Sequence, residues 1–348
     1  MRPPDVIRQI LTAGTLAPSA DNSQPWRFEV EAEAVRLRVD PTRAHSVSDV
    51  DRALTHISCG AVIENMAVAA AALGQEARIT LFPRPDDRDL VAELRWVPGS
   101  PGSDDLARAI PDRHTNRKFY RRQAVPAAAL DHLAREARAF PGAALDWLTD
   151  PRSRAAALRL MRQAEAERFR REPLHQELFR TIRFDVGWRR PAEEGLPPGA
   201  LEVELPARPF FGALRHWAVM STLNRLGAHR ILGWRSADLP ARIAPAFGVL
   251  TIPSASAESV ILGGRALQRV WLRATALGLA LQPFCAATIL PLQLGLTGSP
   301  IPEGILRQLS DRLAALTGRR PGIAFLRVGY APPSRIRTGR RSVESFLA

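Results

Sequence analysis

The sequence has very little lysine, cysteine and tyrosine, and the first two shortages limit what the protein can be. Of 48 basic residues only Lys118 is a lysine, so the net charge of +13 is carried by arginines, which are scattered along the chain. Scattered arginines argue against a nucleic-acid-binding protein or a basic adaptor, which would need one basic patch. The two cysteines, Cys59 and Cys285, are too few for a disulfide scaffold and have no metal-ligand spacing. We therefore expect a cytoplasmic protein without a structural metal.

Several motifs and segments are also absent. No run of about 18 apolar residues occurs, so a membrane-spanning helix is not expected, and the N-terminal stretch lacks the apolar core of a signal sequence. The glycine-rich dinucleotide and P-loop motifs are missing, as are the metalloprotease and serine-hydrolase motifs. With 348 residues, the chain has room for two domains or one large one. A small-molecule ligand is the expected partner, rather than nucleic acid or membrane.

Hydrophobic periodicity and turn residues predict a mixed succession of helices and strands. We expect helices over residues 4–17, 55–74 and 259–279, the last two rich in small residues that let another backbone come close. Strands are expected within 26–39, 246–252 and 322–328, where alternating or continuous apolar residues occur. The line of Arg265, Arg269 and Arg273 on the last helix is typical of a solvated face, with a ligand role as the alternative.

The most informative stretch is residues 17–28, which read APSADNSQPWRF. Pro18 cannot continue the preceding helix because it lacks an N–H, and Gln24, which precedes a proline, favours an extended backbone at the start of a strand. Between them lie small and polar turn residues that would let a flat, anionic ligand approach the backbone. By composition alone, an ordinary helix–turn–strand connection would look the same. These turn residues are Ser19, Ala20, Asp21 and Asn22.

A second stretch, residues 113–117, reads RHTNR. In an extended segment, Arg113, Thr115 and Arg117 share one face, which places two guanidinium groups beside a hydroxyl. Guanidinium groups bind phosphate in bidentate fashion. On its own, this pattern also suits a solvated basic turn.

The chain contains a degenerate internal repeat. At four positions an identical or similar residue occurs again 123 residues later, and at four other positions an identical residue occurs again 204 residues later. These offsets differ by 81 residues, which predicts an insertion in the second copy at about 150–212, where a charged helical stretch leads to a proline-rich run. An insertion of this size is more typical of a lid than of a disordered loop, although chance matches of common residues are the alternative explanation. The repeated pairs are Pro3/Pro126, Ile7/Leu130, Ile10/Leu133, Pro18/Pro141, Gly60/Gly264, Ala70/Ala274, Leu73/Leu277 and Gly74/Gly278.

Residues 17–28 resemble the PSxxNxQPW motif of FMN-dependent nitroreductases, and residues 113–117 resemble their RxSxR/K motif. In that family each flavin site takes one motif from each subunit of a homodimer. Here the first copy of the repeat has the PSxxNxQPW motif, and the second copy has RxTxR. At the position in the second copy that matches PSxxNxQPW, residues 139–143 read Ala-Phe-Pro-Gly-Ala and lack the serine, asparagine and glutamine. The resemblance, to the tandem single-chain Acg-like branch, implies an α+β nitroreductase fold: two fused half-dimer repeats around one flavin site, with a helical lid insertion. The expected halves are 1–110 and 111–348.

The resemblance also implies roles for individual residues. Arg113 would hold the FMN phosphate, and Thr115 and Arg117 would approach the ring edge. The turn after the first helix would cover the flavin, and a loop at 282–286 would present a backbone N–H to flavin N5. Either Arg340 or Arg341 would be the C-terminal phosphate ligand, and the sequence does not distinguish between them. The expected cofactor-binding set is Pro18, Ser19, Ala20, Asn22, Arg113, Thr115, Arg117, Pro283, Phe284, Cys285, Arg340 and Arg341.

The implied activity is two-electron transfer from NAD(P)H through FMN to nitroaromatic or quinone-like substrates. No acidic or basic side chain is required, so no catalytic residue is expected. The alternative is a lid-closed protein that stores or sequesters FMN without turnover. For Cys285 we favour a buried small residue over a nucleophile. The protein is expected to be a monomer, as an internal pseudo-dimer, or a homodimer.

Overall fold

The computed structural model describes residues 5–31, 34–44, 47–100, 102 and 104–348. The first half of the chain pairs a buried helix with a four-stranded sheet. Pro3 of the repeat and the first residue of the helix predicted over 4–17 lie outside the described residues. The elements of this half are α1 (Asp5–Thr15), β1 (Trp26–Val30), β2 (Ala34–Val39), α2 (Ala53–Ala72), β3 (Gln75–Leu81), β4 (Leu90–Pro98) and α3 (Asp104–Ala109).

The second half repeats this order around a long interruption. A helix and a strand come first, and a mostly helical segment then separates that strand from the remaining three. A π-helical turn, Trp234–Asp238, joins the last two helices of the interruption. The elements are α4 (Ala127–Arg138), β5 (Ala144–Trp147), α5 (Pro151–Arg170), α6 (Glu172–Thr181), α7 (Arg208–Ala213), α8 (Trp217–Arg225), α9 (Ala228–Gly233), α10 (Leu239–Arg242), β6 (Ala246–Thr251), α11 (Ala257–Ala276), β7 (Ala280–Phe284), α12 (Ala286–Ile289), α13 (Glu303–Thr317) and β8 (Gly322–Gly329).

The two sheets have the same topology. Their strand orders are β1-β2-β4-β3 and β5-β6-β8-β7, and all adjacent strands are antiparallel. The α+β class expected from the sequence is therefore confirmed. Only three residues separate β1 from β2 in the sequence, whereas residues 148–245 lie between β5 and β6; we call residues 148–245 the lid. The division at 110/111 and the limits 150–212 stay predictions.

The two halves meet where α2 crosses α11. At Gly60 an added Cβ would lie 2.2 Å from the carbonyl oxygen of Ile261, and at Gly264 it would lie 2.3 Å from that of Ile57. Each glycine thus lets the other helix backbone approach closely. Helix α2 is apolar enough in length and composition to span a membrane, but 83% of its apolar window is buried inside the protein.

The arginine line on α11 is not a solvated face, so that prediction was wrong. Arg269 donates to the carboxylates of Glu64 and Glu136 at 2.8 Å each, and Arg273 donates to Glu136 at 2.7 Å. Arg265 also pairs with Glu64, at 3.1 Å. Glu64 comes from α2 and Glu136 from α4, so the network joins three helices. Its acidic members are far away in sequence, which is why periodicity along α11 could not reveal them.

The C-terminal segment returns from the second half to the first. Phe346 is buried against Trp26 and Phe28, at ring-centroid distances of 5.9 and 6.4 Å, and the backbone N–H of Ala348 donates to the carbonyl of Phe28. This apolar anchoring carries residues 336–341 along the turn that follows α1.

Candidate functional site

A cavity of about 470 Å³ lies where the two halves and the lid meet. The first half contributes the turn after α1 and the N-terminal part of α2. The second half contributes Thr115, Arg117, Trp271 and the end of β7, and the lid closes the remaining side with mainly apolar side chains. The lid residues include Phe169, Leu178, Phe179, Ile182, Phe211, Leu214 and Leu232.

A smaller cavity of about 60 Å³ adjoins the large one, and we call it the anion pocket. The two cavities share lining residues from the turn after α1 and from residues 115–117. The structure therefore brings together the two stretches singled out from the sequence. The anion pocket is lined by Pro18, Ser19, Asp21, Asn22, Arg113, His114, Thr115, Arg117, Leu196, Ala200, Ile336, Arg337, Thr338 and Arg340.

Arg113 is a buried cation with spare hydrogen-bonding capacity. Its side chain is 6% exposed, and its guanidinium lies 4.5 Å over the Trp271 ring. Nη2 donates to the carbonyl of Leu16 at 3.2 Å, whereas Nε has no hydrogen-bond partner among the described residues. Burial, with the nearby charge of Arg340, lowers the pKa of Arg113. A buried donor left unpaired next to a cavity is costly unless a ligand accepts its hydrogen bond.

Arg340 is the second cation of the anion pocket. It donates from Nε to the carbonyl of Ala17 at 3.0 Å and from Nη1 to Oδ1 of Asn22 at 2.8 Å. Burial lowers its pKa to about 10, so it stays protonated at neutral pH. No carboxylate of the described residues forms an ion pair with Arg340 or Arg113. Arg113 and Arg340 are thus two cations without an ion-pair partner in a pocket whose one lining carboxylate, Asp21, pairs with Arg168.

The structure distinguishes the two C-terminal arginines that the sequence left open. Arg340 lines the anion pocket. The Arg341 guanidinium instead lies 5.2 Å over the Phe346 ring, and its backbone N–H donates to Oε1 of Gln24. Arg341 does not line either cavity described here.

The turn after α1 has an unusual backbone. Asp21, Asn22 and Gln24 have φ values of +48°, +58° and +52°, in the left-handed region. Ser19 stabilises this turn by accepting a hydrogen bond from the Gln24 backbone N–H at 2.9 Å. Pro18, Ser19 and Ala20 line the large cavity, whereas Asn22 lines only the anion pocket. The expected role of Asn22 in covering the ring thus does not match its position.

Residues 115–117 lie at the junction of the two cavities. Arg117 donates from Nη1 to the carbonyl of Ala200, at 3.2 Å, and burial lowers its pKa. Thr115 lines both cavities without being fully buried. These side chains can reach either a bound anion or the edge of a ring in the large cavity.

The loop at the end of β7 forms another part of the wall. Pro283 and Phe284 belong to β7, and Cys285 precedes the first residue of α12. Burial raises the pKa of Cys285 to about 12, so its sulfur is a thiol and not a thiolate at neutral pH. The thiolate is the reactive form of cysteine. Cys285 is partly exposed to the cavity, and its role as a buried small residue, not a nucleophile, stays a prediction.

The lid residues that line the large cavity were not predicted as site residues, and the charged pair Arg168 and Glu165 is among them. Arg168 of α5 lies 3.6 Å from the carboxylate of Asp21 and 3.4 Å from that of Glu165. Burial opposes the charge of Arg168, but the carboxylates outweigh it and its pKa is raised. The charged stretch of the insertion was visible in the sequence; its orientation toward the turn after α1 was not. Trp271, which supports Arg113, gave no sequence signal.

Comparisons with known proteins agree with this picture. No protein-family model matches the chain. It is 29% identical over 330 residues, 94% of this chain and 86% of the relative, to a Mycobacterium tuberculosis H37Rv protein named "Putative NAD(P)H nitroreductase Rv3131". Over 116 residues, 32% of this chain and 35% of the relative, it is 35% identical to "Putative NAD(P)H nitroreductase acg" of the same strain. The resemblance drawn from the two motifs is thereby confirmed.

Solved structures with some similarity include an FMN-dependent nitroreductase from Mycobacterium smegmatis in complex with NADPH. It is 18% identical and covers 70% of this chain and 96% of that chain, with a TM-score of 0.36. A nitroreductase with bound FMN from Bacteroides fragilis is 12% identical and covers 66% of this chain and 90% of that chain, with a TM-score of 0.37.

Proposed function

We propose that this chain, a relative of the nitroreductases, is an FMN-dependent oxidoreductase with one flavin site built inside a single polypeptide. The observation that carries this proposal is the pair of cations, buried Arg113 and half-buried Arg340, that lacks an ion-pair partner beside a ring-sized cavity. Guanidinium pairs of this kind suit a phosphate monoester. A cavity of about 470 Å³ lies within the usual range for small-molecule sites.

The residues present fit the proposed cofactor. Arg113 and Arg340 would hold the phosphate, and the unpaired Nε of Arg113 offers a donor for it. Thr115 and Arg117 would contact the ring edge, and the loop of Pro283, Phe284 and Cys285 would form one wall. Bound FMN would supply two-electron hydride-transfer chemistry. The chain would orient the ring, neutralise the phosphate and exclude water with the apolar lid.

The proposed reductant is NAD(P)H, in keeping with the names of the sequence relatives. The proposed acceptors are nitroaromatic or quinone-like molecules, because the lid side of the large cavity is lined by aromatic and aliphatic residues. Such residues favour flat apolar rings. No side chain is assigned an acid or base role.

The direct test is flavin binding by the purified full-length protein. We expect bound FMN with the absorbance of a flavin, and rebinding after its removal. We also expect FMN to bind more tightly than riboflavin, which lacks the phosphate. If neither flavin binds at micromolar concentration, the proposal is wrong.

A second candidate function, flavin storage without turnover, is favoured by the firm attachment of the lid. Glu177 of α6 accepts hydrogen bonds from the backbone N–H groups of Val47 and Ser48, at 2.9 Å each, and Arg168 pairs with Asp21. A lid held in this way would keep NAD(P)H from the ring. Anaerobic mixing of the holoprotein with NADPH or NADH separates the two functions: rapid bleaching of the flavin supports the reductase, and no bleaching supports storage.

A further inference from the structure

The Asn22 side chain joins three segments that border the anion pocket. Its Nδ2 lies 3.1 Å from the carbonyl oxygen of Gly195 and 3.3 Å from those of Glu193 and Gly339. Its Oδ1 accepts from Nη1 of Arg340 at 2.8 Å. Because Nδ2 only donates and Oδ1 only accepts, the amide has one orientation that satisfies all these partners. The side chain is 3% exposed, and it lines the anion pocket but not the large cavity.

The chemistry of an amide explains why asparagine suits this place. A carboxylate here would also orient Arg340, but it would neutralise one of the two charges in the pocket. The amide oxygen orients the guanidinium through a hydrogen bond and leaves its full charge for a ligand. Asparagine also tolerates the left-handed backbone at this position, where φ is +58°.

We infer that Asn22 is a positioning residue: it holds Arg340 in the anion pocket as an unneutralised cation and does not contact the flavin ring. This inference rests on the proposed FMN site. Through Nδ2, the same amide ties the edge of the lid, at Glu193 and Gly195, to the segment that carries Arg340. One side chain thus takes part both in the proposed phosphate recognition and in one of the attachments of the lid.

The test compares the affinities of the full-length protein for FMN and for riboflavin, because only FMN carries the phosphate. Asn22→Gly keeps the left-handed backbone and removes the amide. We expect it to weaken FMN binding about tenfold, as for the loss of one hydrogen bond to a charged group, and riboflavin binding less than about twofold. Asn22→Asp should also lower the FMN-to-riboflavin affinity ratio about tenfold, because its carboxylate offsets the charge of Arg340.

Gln24→Gly is the matched control. Gln24 has a φ of +52° in the same turn, and its Nε2 donates to the same lid edge, at 2.7 Å from the carbonyl of Glu193. Its side chain makes no hydrogen bond to the Arg340 guanidinium, and its Oε1 accepts only the backbone N–H of the following residue, Arg341. Both glycine variants should speed tryptic cleavage after Arg189 at the exposed lid edge. Only the Asn22 variants should change the affinity ratio.

A double-mutant cycle with Arg340→Met completes the test. If Asn22 acts through Arg340, Asn22→Gly should have little further effect on FMN binding once Arg340 is absent. The inference is overturned if both flavins lose affinity equally in the Asn22 variants, if neither does, or if the two effects are additive. Should Asn22→Gly not fold, the affinity ratio of Asn22→Asp decides. Failure of the wild-type protein to bind FMN would instead contradict the proposed function.

Discussion

The two sheets of this protein have the same topology, but the described residues on the two sides of the helix crossing differ in what they surround. Ala61 lines the large cavity, and its counterpart in the second half, 204 residues later, is Arg265. Ala17 precedes the turn at the site, and its counterpart, 123 residues later, is Phe140. The Arg265 guanidinium lies 5.0 Å over the Phe140 ring and pairs with buried Glu64. Large side chains and an ion-pair network thus occupy the place opposite the site.

The two sides differ in how their arginines are compensated. On the site side, buried Arg113 and half-buried Arg340 lack an ion-pair partner, which costs folding free energy unless a ligand compensates. On the opposite side, the arginines are paired with Glu64 and Glu136. We expect substitutions on the two sides to separate ligand binding from stability.

The largest expected contrast is between Arg113→Met and Arg265→Met. Arg113→Met should weaken FMN binding about 1,000-fold, as for the loss of two charge-assisted hydrogen bonds, with little change in riboflavin affinity. Arg265→Met should lower stability and leave the affinity of the folded protein for FMN within about twofold. Equilibrium titration with each flavin and urea unfolding measure both effects. An equal loss of FMN affinity in the two variants would remove the proposed distinction.

The next contrast concerns Glu64, whose counterpart in the second half is Gln268. Glu64→Gln makes the two positions alike but leaves Arg265 and Arg269 without their shared carboxylate. Because the Glu64 side chain is fully buried, we expect a loss of about 4 kcal/mol in the free energy of unfolding. Urea unfolding at neutral pH measures it. A loss below about 1 kcal/mol would mean that the network contributes little to joining the halves.

A third contrast concerns acid stability and His56 of α2, whose counterpart is Val260. Burial, with the charges of Arg52 and Arg88, lowers the pKa of His56 to about 4. The contribution of neutral His56 to the free energy of unfolding is present above pH 6.5 and is lost as the pH falls toward 4. The loss is about 3 kcal/mol at most. We expect His56→Val to remove this part of the pH dependence of unfolding. Wild type and variant are compared by urea unfolding between pH 7 and 4.

Asp49 also contributes to the pH dependence of the free energy of unfolding, with a sign opposite to that of His56. Both wild type and His56→Val contain Asp49. Burial raises its pKa to about 6, so its contribution is greatest below about pH 4 and is lost as the pH rises through 6. The difference between wild type and His56→Val cancels this contribution. If the two unfolding curves keep the same pH dependence, His56 is not the group that titrates.

The smallest expected effect is that of Cys285→Ser at the cavity wall. Because burial keeps the sulfur as a thiol, no nucleophilic role is expected, and FMN affinity should change less than about threefold. The measurement is the same flavin titration, with Cys59→Ser on α2 as the control. A loss of flavin binding or of reduction rate specific to Cys285→Ser would assign that side chain a direct role.

Local patterns predicted the main elements well. The helix expected over 259–279 is Ala257–Ala276, and the strand expected over 322–328 is Gly322–Gly329. Continuous apolar residues identified that strand because both faces of its sheet are covered. The helix expected over 55–74 is Ala53–Ala72, and its small residues correctly indicated close packing. These signals are local, so they are readable without the fold.

The arginines show where local patterns stop being informative. An i, i+4, i+8 line looks the same whether its partners are water or carboxylates on other helices, and for Arg265, Arg269 and Arg273 the partners are Glu64 and Glu136. Arg340 and Arg341 likewise cannot be told apart by composition. Their side chains occupy different positions in the fold. The Arg341 guanidinium lies over the ring of Phe346, which anchors the chain end, whereas Arg340 lines the anion pocket.

The sequence by itself determined the helix and strand pattern, the turn after α1 and the presence of two complementary motifs in one chain, because each depends on neighbouring residues. Three features depend on the tertiary structure alone. Arg113 and Arg340 line one pocket without an ion-pair partner, and Oδ1 of Asn22 accepts a hydrogen bond from Arg340. On the opposite side of the helix crossing, the Arg265 guanidinium lies over the Phe140 ring. Charge neutralisation and cavity volume depend on groups brought together from distant parts of the chain, and no local pattern records which groups those are.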